Sequence, residues 1–209
     1  MKKYKHIVFD VDGTLVDSEM KVLSTLRQAI IDMRGVEHPI SELGFAMGMA
    51  PKPILHRLGY NIDVDEIIHC WEQHLLHYDK EVVFFEGMLD TLEQLSTKYT
   101  IGIGTSRIYD EYYKDFANLP IFSKLGLAVC GNMVSNRKPA PDILLYYMDK
   151  TGCTNQDLLF VGDTEFDRDC AKAANVDFAF AAWGGKDLTE QDCQIYLQKP
   201  TDLLKLLEA

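Results

Sequence analysis

The chain has 209 residues, of which 47% are hydrophobic and 25% charged, a composition typical of a folded domain rather than a disordered chain. Its 21 Lys and Arg residues against 32 Asp and Glu residues leave a net charge of −11. That balance argues against a nucleic-acid-binding protein, because contacts with phosphates need a basic surface. It still permits a small anionic substrate, since a bound divalent cation reverses the local field.

The sequence gives no indication of a membrane span, a secretory leader or a disulfide framework. The first apolar run, residues 7–9, ends at Asp10 and is too short for a signal peptide or a bilayer. The five cysteines are widely spread and form no C-x-x-C pair, so we expect reduced thiols and neither disulfides nor a zinc site. We interpret His69, His74 and His77 as surface or hydrogen-bonded histidines, and we expect a cytoplasmic protein.

Short β-rich apolar runs alternate with helical patterns along most of the chain. Such alternation predicts right-handed βαβ units and an α/β, Rossmann-like core, in which helices cover both faces of a parallel sheet in three layers. Ligands of these sheets bind beyond the carboxyl ends of the strands. The predicted strands are residues 5–11, 101–105, 127–130, 158–161 and 178–182.

Residues 15–84 are the exception, because they contain helical patterns and no convincing strand. Asp17 or Ser18 is placed to cap a first helix, which we expect to end near Gly35. Two further helical patterns follow before the next predicted strand. We therefore predict a small helical domain at 15–84, inserted after the first strand of an α/β core made of residues 1–14 and 85–209.

The strongest chemical signal is the run Asp10-Val11-Asp12-Gly13-Thr14 at the tip of the first predicted strand. Residues i and i+2 of an extended chain point to the same side, so the two carboxylates converge. Gly13 allows the backbone to turn away from the strand, and Thr14 can fix the turn with its hydroxyl. An acidic turn with a capping aspartate is the structural alternative, but such turns rarely follow an apolar strand. Because close carboxylates repel, the pair indicates a bound cation or a shared proton.

Polar residues also follow the second and third predicted strands. Thr105 and Ser106 offer hydroxyl and backbone N–H groups at a strand-to-helix turn, which is a natural binding place for phosphate oxygens. Taken alone, this pair is equally typical of a helix cap. Lys138 precedes two prolines that stiffen its loop. A lone loop lysine is usually a solvated charge, but this one follows a strand whose end should face the same cleft.

The fourth predicted strand ends in Gly162-Asp163-Thr164, and Asp167 follows one helical turn later. Acidic residues are favoured at helix N-termini, which accounts for Asp167 better than for Asp163. Clustered oxygen donors without His or Cys select a hard cation, and Mg²⁺ is the cation that we expect.

These residues resemble the four motifs of the haloacid dehalogenase-like (HAD) hydrolase superfamily, in the family's order and at its usual spacing. The matching positions are Asp10 to Thr14, Thr105, Lys138-Pro139 and Gly162 to Asp167. Further matches, to the phosphoglycolate phosphatase and β-phosphoglucomutase branch, lie at residues 15–18, 85–87, 138–142 and 171–174. The resemblance covers almost the whole chain and implies that the helical insert is a cap of the family's C1 type. Asp12 excludes the founding dehalogenase reaction, which needs no leaving-group acid, and indicates phosphoryl transfer.

The resemblance also implies a role for each motif residue. Asp10 is expected to attack phosphorus and form an aspartyl-phosphate, while Asp12 protonates the leaving alcohol and then deprotonates water. Thr105 and the Ser106 N–H are expected to hold phosphate oxygens, and Lys138 to offset the charge of the phosphate and the nucleophile. The expected Mg²⁺ ligands are the Asp10 carboxylate, the Asp12 backbone carbonyl, Asp163 and Asp167, the last directly or through water.

The cap is expected to close over the site, exclude water and contact the leaving group of the substrate. By analogy, its specificity residues are Met47, Gly48, Lys52 and Arg57. Gly48 would let the backbone approach a ligand, and the two cations could reach an anionic one. Solvated helix charge is the favoured alternative for Lys52 and Arg57, and packing is the favoured alternative for Met47.

The leading hypothesis is a Mg²⁺-dependent phosphatase for a small phosphorylated metabolite, a phosphomonoester similar to phosphoglycolate. A phosphosugar mutase of the β-phosphoglucomutase type is the alternative, ranked lower because the sequence contains no clear Arg/Lys pair for a second phosphate. A pyrophosphatase, a nucleotidase or a phosphonatase ranks below both. A signalling receiver also phosphorylates an aspartate, but Asp12 would promote hydrolysis of the phosphate that a receiver must retain. The sequence does not distinguish a monomer from a homodimer.

Overall fold

A computed structural model of the protein describes residues 4–185 and 188–208. The described strands form one sheet in the order β3-β2-β1-β4-β5-β6, and all of their pairings are parallel. At the centre, Ile7 of the first strand lies opposite Ile101 on one side and Leu159 on the other. The strands are β1 His6–Phe9, β2 Thr100–Gly104, β3 Leu125–Val129, β4 Leu158–Gly162, β5 Asp177–Ala181 and β6 Ile195–Leu197.

The first five strands lie where the hydrophobic pattern predicts them, with ends shifted by no more than two residues. β1 is shorter than predicted because the chain leaves the sheet at Asp10 to form the acidic turn. The sequence analysis missed β6, since three residues are too few to establish an alternating pattern.

Helices cover both faces of the sheet, which confirms the predicted α/β class. The core helices are α5 Met88–Leu95, α6 Tyr109–Phe116, α7 Asp142–Thr151, α8 Glu165–Ala173 and α9 Asp202–Glu208. Successive side chains of β1 point to opposite faces. Ile7 and Phe9 therefore pack in one buried cluster with α5 and α6, whereas Val8 packs in a second cluster with α7 and α8.

The chain between β1 and α5 forms a helical insert, which we call the cap. Its helices are α1 Glu19–Arg34, α2 Ile40–Leu43, α3 Pro51–Arg57 and α4 Val64–Leu76. As predicted, α1 ends at Gly35, which adopts the left-handed conformation at φ 67°. At the start of α1, Asp17 Oδ1 accepts a hydrogen bond from the Glu19 N–H at 3.4 Å, whereas the Ser18 side chain makes no capping bond.

A third hydrophobic cluster, which includes Leu26 and Ile30 of α1 and Trp71 of α4, is built from cap residues alone. This separate cluster supports the cap as a folding unit, and the boundaries 15 and 84 remain a prediction. None of the helices within 4–185 and 188–208 combines the length and hydrophobicity needed to cross a membrane.

Candidate active site

The predicted site residues meet at the carboxyl edge of the sheet. Asp10 directly follows β1, Thr105 follows β2 and Asp163 follows β4, and these three strands are immediate neighbours. Main-chain bonds continue the pairing beyond the strand ends, from the Asp10 N–H to Val161 O at 2.9 Å and from the Thr105 N–H to Val129 O at 3.0 Å. The strand order thus brings together residues that are far apart in the sequence.

Lys138 is buried between two carboxylates of this edge. Its Nζ donates to Asp10 Oδ1 at 2.7 Å and to Asp167 Oδ1 at 2.6 Å. Carboxylate oxygens of Asp10, Asp163 and Asp167 all lie within 4.8 Å of one another. Burial and the neighbouring carboxylates raise the pKa of Asp10 to about 7, against the opposing effect of Lys138. The same causes raise the pKa of Asp163. The cluster therefore contains more carboxylate groups than the single charge of Lys138 can neutralise.

This acidic cluster fits a hard divalent cation such as Mg²⁺. Its donors are carboxylate oxygens, and a dication would relieve the repulsion that raises their pKa values. Both oxygens of Asp167 already have partners: Oδ1 binds the lysine, and Oδ2 accepts from the Thr164 N–H at 3.1 Å and hydroxyl at 2.6 Å. Asp163 has Oδ1 held by Thr14 Oγ1 at 2.9 Å. Asp10 and Asp163 are therefore better placed for direct ligation than Asp167.

The turn that follows the two motif aspartates depends on close backbone approach. Gly13 has φ 78°, and a Cβ atom there would lie 2.0 Å from Asp163 Oδ2. Gly184 packs against the same turn, where a Cβ atom would lie 1.6 Å from Gly13 O, and Trp183 Nε1 donates to Thr14 O at 2.9 Å. The sequence analysis anticipated the glycine of the turn but not Trp183 and Gly184, because only the strand order places them beside it.

Asp12 is bound by an arginine to which the sequence analysis assigned no role. Arg107 Nε and Nη2 donate to the two carboxylate oxygens of Asp12 at 2.8 and 2.6 Å. Burial would raise the pKa of Asp12, but Arg107 outweighs it and lowers that pKa to about 2. Arg107 also pairs with Asp115 at 2.6 Å and Glu111 at 3.6 Å, and Lys21 of the cap binds both acids. The four-residue spacing of Arg107, Glu111 and Asp115 was a sequence signal for ion pairs along one helix face, but not for the contact with Asp12.

The predicted phosphate-binding pair lies beside this arginine. Thr105 is fully buried, and its Oγ1 accepts the Arg107 N–H at 3.2 Å. Ser106 lines the same cleft as Asp10 and Lys138, and its Oγ is buried with no hydrogen-bond partner in the described part of the chain. An unpartnered buried hydroxyl costs about 1–3 kcal/mol. A ligand oxygen at this position would remove that cost.

The cleft separates the acidic edge of the sheet from the cap. Its cap wall is mostly apolar and includes Val22, Met47, Met49, Trp71 and Leu75. Within the cleft, Arg137 Nη2 of the core pairs with Glu72 Oε1 of the cap at 3.3 Å. The cap also approaches the core at Gly48, where a Cβ atom would lie 2.5 Å from Thr164 Cγ2.

The four predicted specificity residues divide into two pairs. Met47 and Gly48 line the cleft, as an analogous role requires. Lys52 and Arg57 are exposed and do not line it. Lys52 Nζ lies 3.8 Å from Asp65, and the Arg57 guanidinium stacks on the Phe45 ring at 4.1 Å. The solvated alternative therefore describes these two cations, whereas the charged residues Glu72 and Arg137 line the cleft.

The parallel α/β sheet carries an acidic edge that faces a helical cap, which is the architecture of an α/β protein with a ligand site beyond the carboxyl ends of its strands. The chain belongs to the haloacid dehalogenase-like hydrolase family, whose model matches residues 7–181. This membership confirms the resemblance carried by the four motifs.

Similar proteins cover nearly the whole chain. A phosphoglycolate phosphatase of Aquifex aeolicus is 26% identical over 206 residues, which are 97% of this chain and 96% of that protein. The pyrophosphatase PpaX of Oceanobacillus iheyensis is 27% identical over 186 residues, which are 87% of this chain and 85% of that protein. The crystal structure of a candidate phosphoglycolate phosphatase from Lactobacillus plantarum has a TM-score of 0.86 at 28% identity and covers 98% of this chain and 99% of its own.

Proposed function

We propose that this HAD hydrolase is a Mg²⁺-dependent phosphatase, which hydrolyses a small phosphomonoester through an aspartyl-phosphate on Asp10. The observation that carries the proposal is the buried contact of Asp10 with Lys138, beside the unpartnered hydroxyl of Ser106. A nucleophile, a cation and a free polar group then share one cleft, as phosphoryl transfer requires. The phosphatase-named relatives support the same class of reaction.

In the first step, Asp10 attacks phosphorus, and the bond from phosphorus to the leaving oxygen breaks. Lys138 and the backbone after Thr105 hold the equatorial oxygens, while Asp12 transfers its proton to the leaving alcohol. In the second step, Asp12 takes a proton from water, which attacks the phosphoenzyme. Inorganic phosphate leaves, and the Asp10 carboxylate is restored.

Asp10 and Asp163, together with the backbone carbonyl of Asp12, are the groups that we assign to Mg²⁺. Asp167 would act through its contact with Lys138 and through bound water. When bound, the cation supplies positive charge to the phosphoryl oxygens and offsets repulsion within the acidic cluster.

The charges of the cleft favour a hydrolase over a mutase. A mutase needs cations for a second phosphate, but in the described part of the cleft Arg107 is paired with Asp12 and Asp115, and Lys138 is assigned to the first phosphate. The remaining cation, Arg137, has a single acidic partner in Glu72. One cation suits one further anionic group, such as the carboxylate of a phosphoglycolate-like substrate. The pyrophosphatase-named relatives make diphosphate the second substrate to test.

The test is Mg²⁺-dependent phosphate release across phosphoglycolate, hexose phosphates, nucleotides and pyrophosphate, with Asp10→Asn alongside. We expect one compound to be turned over far better than the rest, and no turnover by Asp10→Asn. A thermal melt would establish that the variant is folded. No release from any compound by folded, Mg²⁺-loaded protein would contradict the phosphatase proposal and place the mutase first.

A further inference from the structure

Three side chains of types that can ligate a metal lie together on the cap, away from the acidic cluster. They are Asp32 on α1 and Cys70 and His74 on α4, and one ligand atom from each lies within 4.8 Å of the other two. The His74 Nε2 and the Asp32 Oδ2 are 2.8 Å apart. Asp32 is exposed and the other two side chains are half-buried, so the cluster is open to ions from solvent.

Packing within the cap fixes this arrangement before any ion binds. Cys70 and His74 are four residues apart on one helix, which places both side chains on the same face. Trp71 of α4 donates through Nε1 to Thr25 Oγ1 of α1 at 3.1 Å and sets how the two helices align. On α1, the Gln28 amide donates to Asp32 Oδ1 at 2.7 Å and leaves Oδ2 toward His74.

We propose that Asp32, Cys70 and His74 form a binding site for Zn²⁺ or a similar transition-metal ion, with water at the fourth position. Thiolate, imidazole and carboxylate are the ligands that Zn²⁺ accepts in tetrahedral sites, whereas Mg²⁺ prefers oxygen alone. The site therefore differs in selectivity from the all-carboxylate cluster at the sheet edge. Because its ligands come from two helices, a bound ion would tie α1 to α4 and stabilise the cap.

Sequence spacing alone showed no sign of this site, and the proposal departs from the expectation that the cysteines and histidines bind no metal. Cys70 and His74 look like an ordinary helical pair, and Asp32 lies on a different helix. Only the packing of α1 on α4 brings the third ligand to them. The proposal is independent of the proposed phosphatase activity, since none of the three residues lines the catalytic cleft in the described structure.

The test is a Co²⁺ titration of the full-length, chelator-treated protein, followed by displacement with Zn²⁺. A thiolate bound to tetrahedral Co²⁺ absorbs in the near ultraviolet, a signal that carboxylates cannot produce. We expect this band in the wild-type protein and its loss in Cys70→Ser. Cys153→Ser is the matched control, because it removes another half-buried free thiol that belongs to no described metal cluster, and it should keep the band.

A second variant, His74→Gln, tests the nitrogen ligand and keeps the proposal testable if Cys70→Ser does not fold. His74→Gln should weaken Zn²⁺ binding by about 10- to 100-fold or more, because the loss of even an indirect partner has that effect at metal sites. With excess Mg²⁺ present to occupy the acidic cluster, Zn²⁺ should raise the melting temperature of the wild-type protein more than that of folded Cys70→Ser. Absence of the thiolate band in the wild type, or its persistence in Cys70→Ser, would overturn the proposal.

Discussion

The orientation of Asp12 depends on one guanidinium, because both of its carboxylate oxygens are bound by Arg107 at 2.8 and 2.6 Å. A fork of this kind fixes a carboxylate in direction as well as in place. The guanidinium also stabilises the deprotonated form of Asp12, and this is the form in which Asp12 can accept a proton from water in the second step. For the first step Asp12 must carry a proton, so the contact with Arg107 has to weaken when substrate binds.

Arg107→Lys keeps a positive charge beside Asp12 but removes the two-pronged contact. We expect kcat/KM for an alkyl phosphate to fall about 10- to 100-fold, because general acid catalysis contributes about 10²–10⁴-fold and would be misaligned. The loss should be much smaller for p-nitrophenyl phosphate, whose leaving group departs without a proton. The parameter kcat/KM is the one to compare, since it excludes hydrolysis of the phosphoenzyme. Equal losses on both substrates would contradict an orienting role for Arg107.

At the level of elements, the ends of β1 and β4 hold carboxylates that repel one another. Asp10 has a pKa raised to about 7, and that of Asp163 is raised as well, so the folded protein retains protons that the unfolded chain releases near pH 4. Stability falls with pH wherever the folded state binds more protons. The metal-free protein should therefore lose stability between about pH 4 and 7.

A bound dication removes this repulsion, so Mg²⁺ should raise the melting temperature more at pH 8 than at pH 5. The measurement is a pair of thermal melts, in chelator and in excess Mg²⁺, at each pH. Asp163→Asn is the control: it should be more stable than the wild type in chelator at pH 8, because it removes one of the repelling charges. The variant should also gain less from Mg²⁺. The same Mg²⁺ effect at both pH values in the wild type would contradict this account.

At the level of the whole molecule, the sequence predicted those features of the fold and the site that depend on short-range patterns of residues. Apolar runs located β1 to β5, and polar residues at their ends identified Asp10, Ser106, Lys138 and Asp163, because parallel strands must present their carboxyl ends at one edge. Contacts that depend on how elements pack were not predictable in this way. The contact between Arg107 and Asp12, for example, forms because β1 and β2 are neighbours in the sheet.

The cap illustrates the same limit. Its helices follow from their periodicity, but the side chains that face the cleft depend on how the cap rests on the core. Arg57 and Lys52 were chosen for charge and lie outside, whereas Glu72 and Arg137 meet across the gap. Charge on a helix therefore says little about specificity until the docking of the two parts is known.

The close approach of cap to core at Gly48 gives a test of that docking. Gly48 has φ 73°, and an added Cβ atom would lie 2.5 Å from Thr164 Cγ2. Gly48→Ala should therefore hold the cap off the core and lower kcat/KM about tenfold, since catalysis depends on an enclosed, well-positioned site. The left-handed backbone alone should cost about 1–2 kcal/mol of folding stability.

Gly44→Ala is the matched control, because Gly44 lies in the same segment at φ −53° and a Cβ atom there would meet nothing within 4 Å. Its activity and melting temperature should stay close to those of the wild type. Thr164→Ser should partly restore activity in the Gly48→Ala background, since it removes the Cγ2 methyl and keeps the hydroxyl that binds Asp167. Recovery of kcat/KM without recovery of the melting temperature would show that the loss of activity comes from the contact with Thr164 and the loss of stability from the backbone strain at φ 73°. Identical kinetics for the two alanine variants would show that cap closure does not depend on this contact.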